Sequence, residues 1–599
     1  MGVPGFFAWL LKNYKKADII ISEIHETVDT LYIDANCLFH PQCHKILNFY
    51  GDKLDVEKLE NKMIKRILNY IDYLIGMVNP QKEVFISVDG IAPMAKMSQQ
   101  RKRRYKSISD NVLRDNIKNK FNKETTTVWN NTTITPGTKF MEKLHKKIKE
   151  YMTHNRIKLN IKYTYSSYRT VGEGEHKILQ DIKSKKNNKD DVYVIYGLDA
   201  DLIFLALASK KDKIYLLREE TFFRSVNHFD KEEIIDIVKD VAEDLNYVSI
   251  DETARCINQE FKMLINKKLD FDELEGEFKY DDINVQNIDF IDDFIVICYF
   301  LGNDFLPNIP SIEIKNDGID FLLDKYVNTF LTLQTGITYV DKKDNDNVCI
   351  NGTFFDLYIE TIANCEEYYF KVKLPKFVEN LKRRKCQSDD PYDKEVWNME
   401  NMRSFDIDDP IKLGYDKSEL WKFRFYEHYY GASQDQDKHI NGMCQDYLKG
   451  VIWTMKYYFD KCQSFDWQYK YYHTPFASDL CMYLRQTKFN IETIKFTESK
   501  IITPFIQLLS VLPPSCYSLL PPGYGALMHT DTSPIIDMYP INVKLDMLYK
   551  DSFHKCIPLV PNINIERIIN AVKNINLTQE EKERNIVIGN LTVDHSINK

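Results

Sequence analysis

Short apolar runs alternate with longer amphipathic stretches from the first residues to about position 330. LYIDA (31–35), EVFISVDG (83–90), DVYVIYGLDADL (191–202) and KIYLLRE (213–219) have strand length. Between them, residues 56–77 and 137–151 space their apolar positions for one helix face. Strands separated by helix-length segments predict an α/β fold, with a mainly parallel central sheet and right-handed crossovers. Ligands collect at the carboxyl ends of such strands, where three of these runs carry aspartate. Residues 289–305 read as a buried helix with Asp304 at its far end.

The pattern then changes. Residues 331–410 are charged, and LKRRKCQSDDPYD within them has the character of a surface linker or insert. A second region, 411–575, is rich in aromatics (FRFYEHYYG, WTMKYYFDK, FDWQYKYYH) and then in prolines. It is expected to be mixed α/β, to pack against the domain formed by 1–330, and to complete one wall of its site. Residues 576–599 read as a polar, frayed tail.

With 599 residues, two or three packed lobes are expected rather than one core. No apolar run reaches the roughly 18 residues of a membrane span, so no membrane partner is expected. The 12 cysteines form no CxxC pair or regular framework and read as reduced thiols of a cytoplasmic protein. Cys37, His40, Cys43 and His44 lie close together. With no second cluster at finger-like spacing, packing is the better reading than zinc.

Seven acids give the chain its chemistry: Asp34, Asp89, Glu173, Glu175, Asp199, Asp201 and Asp304. Five separate segments deliver them to strand ends or helix starts. Like charges do not assemble in a folded interior unless a cation holds them. Hard carboxylate oxygens suit Mg²⁺ or Mn²⁺, and seven are enough for two ions with shared bridges. Two such ions can activate water and steady a leaving oxygen, which points to phosphoryl transfer and to a nuclease. Single members could instead cap helices.

The net charge of −8 would argue against a nucleic-acid partner if it were evenly spread. Between Lys96 and Lys123, however, ten basic residues face only Asp110 and Asp115. On a helix, Lys96, Gln100, Arg103 and Arg104 fall within about a quarter-turn, while Arg101 and Lys102 point elsewhere. Three cations and an amide on one face form a pocket for a terminal phosphate dianion. RKRRYK also resembles a nuclear-localisation run. His40, six residues beyond Asp34, and Trp467 in the aromatic region either stack on bases of a single strand or belong to the core.

These segments resemble the XRN family of 5′→3′ exoribonucleases. The resemblance runs through YIDANCLFH, VDGIAPMAKMSQQRKRRY, VGEGEHKI, YGLDADLIFLAL and FLGNDFLPNIP to HTPFASDL, SVLPPS and SPIIDMYP. It implies a PIN/flap-nuclease-like sheet and a Mg²⁺-dependent processive enzyme. Such an enzyme releases nucleoside 5′-monophosphates from single-stranded RNA bearing a 5′-monophosphate. It also implies that the seven acids hold metal, that Lys96, Gln100, Arg103 and Arg104 grip the 5′ phosphate, and that His40 and Trp467 stack on the entering bases. Val171 stands where the family has Pro before GEGE, and Ala35 where it has Met. A monomer is expected. Association with decapping machinery is compatible with the resemblance, although no residue reads as its contact.

Two other readings stay open. A flap endonuclease shares the carboxylate architecture, but NIPSIEIKNDGIDFLL after Asp304 lacks the glycine-rich hairpin that such enzymes place there. A non-catalytic RNA-binding scaffold of the same fold would have no reason to keep seven repelling acids.

Overall fold

The computed structural model describes residues 5–14, 17–51, 53–123, 129–159, 161–185, 190–219, 236–275, 285, 288–342, 346–431 and 435–593. Its centre is an eight-stranded sheet. The strands are β1 (Ile20–Ile21), β2 (Thr30–Asp34), β3 (Glu83–Ser87), β4 (Lys162–Ser166), β5 (Tyr193–Tyr196), β6 (Ile214–Glu219), β7 (Leu245–Ser249) and β8 (Leu591–Val593). Their order is β1-β7-β6-β5-β2-β3-β4-β8. The five central strands run parallel, and the antiparallel pairs lie at the two edges. The α/β expectation therefore holds, and all four predicted strands (β2, β3, β5 and β6) belong to the central parallel block.

Every residue of β2 and β3 is buried, as befits parallel strands covered on both faces. Alternation sends Tyr32, Phe85, Ile195 and Leu216 into one apolar layer, and Leu31, Ile33, Val84, Ile86 and Val194 into the other. Six helices matter for the site: α1 (Ala35–Tyr50), α2 (Met94–Lys120), α3 (Gly174–Ser184), α4 (Asp201–Ala208), α5 (Ile291–Cys298) and α6 (Gln436–Phe459). The first layer continues without a break through α4 and α5 into Tyr447, Leu448, Val451 and Trp453 of α6. The aromatic region thus shares a core with the sheet.

Two stretches differ from expectation. Residues 331–410 contain helices Gly352–Tyr368, Leu374–Arg383 and Pro391–Glu400. The first buries Phe354, Phe355, Tyr358, Ile359 and Ile362, so this part is packed structure rather than linker, while Leu374–Arg383 buries none of its residues, as a surface insert would. Residues 576–593 also have defined structure. Thr578 and Glu581 form a capping box for helix Gln579–Arg584, Arg584 is buried and donates to the Gly137 carbonyl, and β8 pairs with β4. Local polarity suggested a tail, but a short edge strand needs little apolar sequence. Residues 594–599 lie outside the described residues. Among the described residues no helix is long and apolar enough to cross a membrane.

Candidate active site

The strand register brings the acids level with one another. Asp34 pairs in register with Ser87, and Ser87 with Ser166, so β2, β3 and β4 end side by side. Asp34 is the last residue of β2, Asp89 follows β3 by two residues, and the loop after β4 leads into Glu173 at the N-cap of α3. Asp199 and Asp201 follow β5, and Asp201 opens α4. The loops after β3 and β4 lock together through Gly90 N–H to Gly172 O and Gly172 N–H to Ile91 O. Gly90 is required there because a Cβ would stand 1.7 Å from the Thr170 carbonyl oxygen. Lys177, from α3, crosses beneath and donates to the carbonyls of Val88 and Ser167.

Within this frame the seven acids form one electrostatic group. Burial first, and then Asp89, raises the Asp34 carboxyl to about 7. Burial also raises Glu173 and Asp201, and lifts Glu175 well above the carboxylate range, with Asp201, Glu173 and Asp199 adding to the effect on Glu175. Asp304 behaves in the opposite way. Burial alone would raise it, but the Lys96 ammonium overrides that and holds it well below the usual range. Lys96 Nζ lies 2.5 Å from Glu173 Oε2 and 2.7 Å from Asp304 Oδ2. Burial disfavours this ammonium, yet Asp304 and Glu173 keep it firmly protonated.

The acids also have neutral partners. Asn36 donates to Asp89 Oδ2 at 3.0 Å and accepts from the Asp89 N–H. Cys37 donates to Asp34 Oδ2, and the Gly174 N–H to Asp89 Oδ1. Tyr457 and Tyr458 of α6 donate to Glu173 Oε1 and Asp201 Oδ1. Asn36 and Cys37 stand beside Asp34 in the chain and were open to inference from the sequence. The tyrosines come from far along the chain, and the aromatic richness of their segment was the only signal for them.

These residues fit a divalent cation. Asp34 Oδ1 and Glu175 Oε2 are buried without a hydrogen-bond partner, and a Cβ on Gly174 would lie 2.9 Å from Asp34 Oδ1 and 3.3 Å from Asp89 Oδ1. Oxygen is the donor throughout, as Mg²⁺ or Mn²⁺ requires. Among the described residues, however, no three His, Cys, Asp or Glu side chains already close around a single point. Glu173 and Asp304 bracket Lys96 instead.

The basic helix face is divided in role. Lys96 and Gln100 are buried, Arg104 is half-buried and Arg103 is exposed. Lys96, expected in a phosphate pocket, is bound to carboxylates. Arg104 donates to Thr135 Oγ1 at 2.9 Å, while its Nη1 and Gln100 Oε1 are buried without partners. Burial and then Arg103 lower the Arg104 guanidinium to about 9. Arg101 does point elsewhere, donating to the carbonyls of Ser510 and Met538. Farther along α2, Arg114 and Lys120 pair with Glu400 and Glu395, and just beyond its end Lys123 covers the Tyr392 ring. Much of the apparent basic footprint is therefore consumed by internal contacts.

His40 is exposed on the second turn of α1 yet ringed by protein. That crowding, and then Arg103, hold its imidazole neutral down to about 4, and Asp89 and Asp199 are also within reach. Trp467 is half-buried and stacks on Trp453, with centroids 5.1 Å apart. No disulfide joins any of the twelve cysteines.

Residues 1–220 match the family model described as XRN 5'-3' exonuclease N-terminus, and residues 283–396 and 372–598 match the Xrn1 helical domain. The chain is 30% identical to 5'-3' exoribonuclease 1 of Homo sapiens, over 98% of this chain and 35% of that protein. It is 28% identical to 5'-3' exoribonuclease 1 of Saccharomyces cerevisiae, over 98% of this chain and 44% of that protein. Against the 5'-3' exoribonuclease 2 homolog of Drosophila melanogaster the identity is also 28%, over 98% and 72%. The chain thus spans from about a third to less than half the length of the two exoribonuclease 1 relatives. With one model covering its first 220 residues and the other more than half of its length, the chain belongs to the XRN family of 5'-3' exonucleases.

Proposed function

We propose that this chain is a divalent-metal-dependent 5′→3′ exoribonuclease that shortens 5′-monophosphorylated single-stranded RNA one nucleotide at a time. The observation that carries the reading is the gathering of six acids at the carboxyl ends of β2 to β5, with Asp304, which follows α5, joined to them through Lys96, beside the start of α2 and its arginines. These acids would hold Mg²⁺ or Mn²⁺, whose charge would ready a water and offset the negative charge developing on the departing 3′ oxygen.

The remaining work falls to side chains of the chain itself. Arg103 and the unpartnered Nη1 of Arg104 receive the terminal phosphate, with Gln100 beside them. Anchoring that phosphate fixes which phosphodiester faces the acids, and so sets a step of one nucleotide. His40, neutral and accessible, and the half-buried Trp467 offer rings for the first bases. Lys96 balances Glu173 and Asp304. Twelve cysteines outside any disulfide suit a reducing compartment, and RNA turnover in the cytoplasm is the setting this reading favours.

One RNA carrying a 5′-monophosphate, triphosphate or hydroxyl, run beside a DNA flap with Mg²⁺, tests the proposal. Mononucleotides are expected from the monophosphate substrate. Preferential flap cutting, or no mononucleotide release, defeats it.

A further inference from the structure

Tyr457 and Tyr458 are consecutive residues of α6, yet each meets a different acid of the site. The Tyr457 hydroxyl donates to Glu173 Oε1 at 2.6 Å, and the Tyr458 hydroxyl to Asp201 Oδ1 at 2.8 Å. Glu173 arrives through the loop after β4, and Asp201 at the start of α4 after β5. Neighbours on a helix point about 100° apart, so one turn of α6 reaches acids from two strands. Both rings are buried.

The rings cannot easily turn. Tyr457 is sandwiched between His176 and Trp453, with centroids 4.2 Å and 5.0 Å away and both interplanar angles 11°. Trp467 continues the column beyond Trp453, and Phe305, next to Asp304, meets Tyr457 edge-on. Tyr458 leans on Tyr299. A locked hydroxyl fixes the plane of the carboxylate it touches, while the carboxylate retains further lone pairs for a hard cation. The fold does not require every hydroxyl of this helix to be satisfied. Tyr447, equally buried on α6, has no partner for its own.

We infer that Tyr457 and Tyr458 are positioning residues, whose hydroxyls hold Glu173 and Asp201 in the orientation that binds the divalent cation. This rests on the reading that these acids hold metal. The two halves of the chain are then joined chemically as well as by packing, because the α/β domain presents the acids and the aromatic region orients them.

Tyr457→Phe and Tyr458→Phe each remove one oxygen and keep the ring, and Tyr447→Phe is the control for losing a buried hydroxyl of α6. The first readout is Mn²⁺ binding to the protein alone, by electron paramagnetic resonance. The second is kcat and KM for 5′-monophosphorylated RNA across an Mn²⁺ series. The positioning role predicts Mn²⁺ affinity about tenfold weaker in each of the two variants. It also predicts lower kcat that excess Mn²⁺ restores, KM for RNA within about twofold, and wild-type behaviour for Tyr447→Phe. A wild type that binds Mn²⁺ with variants that bind it equally well overturns the inference alone. Activity loss that excess Mn²⁺ does not restore also overturns it, since that marks a structural lesion. A wild type with no Mn²⁺ affinity overturns the metal reading, and the inference with it.

Discussion

Gly174 allows stability and activity to be separated with a single methyl group. Its N–H donates to Asp89 Oδ1 at 2.7 Å, and it opens α3 between the two acids Glu173 and Glu175. A Cβ there would stand 2.9 Å from Asp34 Oδ1, 3.3 Å from Asp89 Oδ1 and 3.5 Å from the Ser87 carbonyl oxygen. Ordinary non-bonded contact wants about 3.5 Å, so Asp34 must withdraw by about half an ångström. A displacement of 1 Å at reacting groups costs about a hundredfold in rate, which puts half that displacement at about tenfold, or 1.4 kcal/mol. The helix gains from alanine, by at most about 1 kcal/mol, which offsets the crowding. Gly174→Ala is therefore expected to melt within a few degrees of wild type while cleaving about tenfold more slowly. Single-turnover release of mononucleotide across a Mg²⁺ series, run beside thermal melting, checks both. An unchanged rate at every Mg²⁺ concentration would refute the claim that Asp34 and Asp89 work from the positions described.

Three further expectations follow from the same structure. Lys96→Met leaves Glu173 and Asp304 without their shared ammonium. Breaking a buried pair costs about 3–5 kcal/mol, so melting falls and Mg²⁺ recovers more of it than in wild type; equal Mg²⁺ shifts in both proteins contradict this. Trp467→Ala removes the outer ring of the aromatic column, and with base stacking worth about 1–3 kcal/mol KM for RNA rises about fivefold or more, with Trp467→Phe in between. An unchanged KM removes Trp467 from the RNA path. His145 is held at about 4 by burial and then by Arg169, below its free value of 6.5. The unfolded chain takes up that proton more readily, so the contribution is complete above about pH 6.5 and disappears as pH falls toward 4. At 1.36 kcal/mol per unit this amounts to about 3 kcal/mol. Urea denaturation from pH 7 to 4 should show a shallower loss in His145→Gln, and parallel slopes in the two proteins would rule the account out.

The α/β sheet was readable because β2, β3 and β5 are apolar runs ending at or beside an acid, and that coincidence marks strand and site together. The strand KYTYS at 162–166 was missed because tyrosine and threonine replace the aliphatic signal, although Tyr163, Thr164 and Tyr165 are buried all the same. Helix spacing correctly separated Arg101 from Arg103 and Arg104. It could not show that Lys96 turns to Glu173 and Asp304, since a lysine's length lets it choose partners outside its own helix. Nor could it show that the far end of α2 is paired with residues 392–400, a tertiary contact with no periodic trace. The tyrosine donors were hidden for the same reason.

The edge strand β8 sets a condition on biosynthesis. It joins Leu591–Val593 to Tyr163–Tyr165, partners drawn from distant parts of the polypeptide. Until those late residues leave the ribosome, β4 shows a row of unpaired amides and carbonyls, an invitation to wrong neighbours. Through much of the same interval Glu173 and Asp201 wait for hydroxyls not yet translated. On that reading a nascent chain stays blunt until Tyr457 and Tyr458 have emerged.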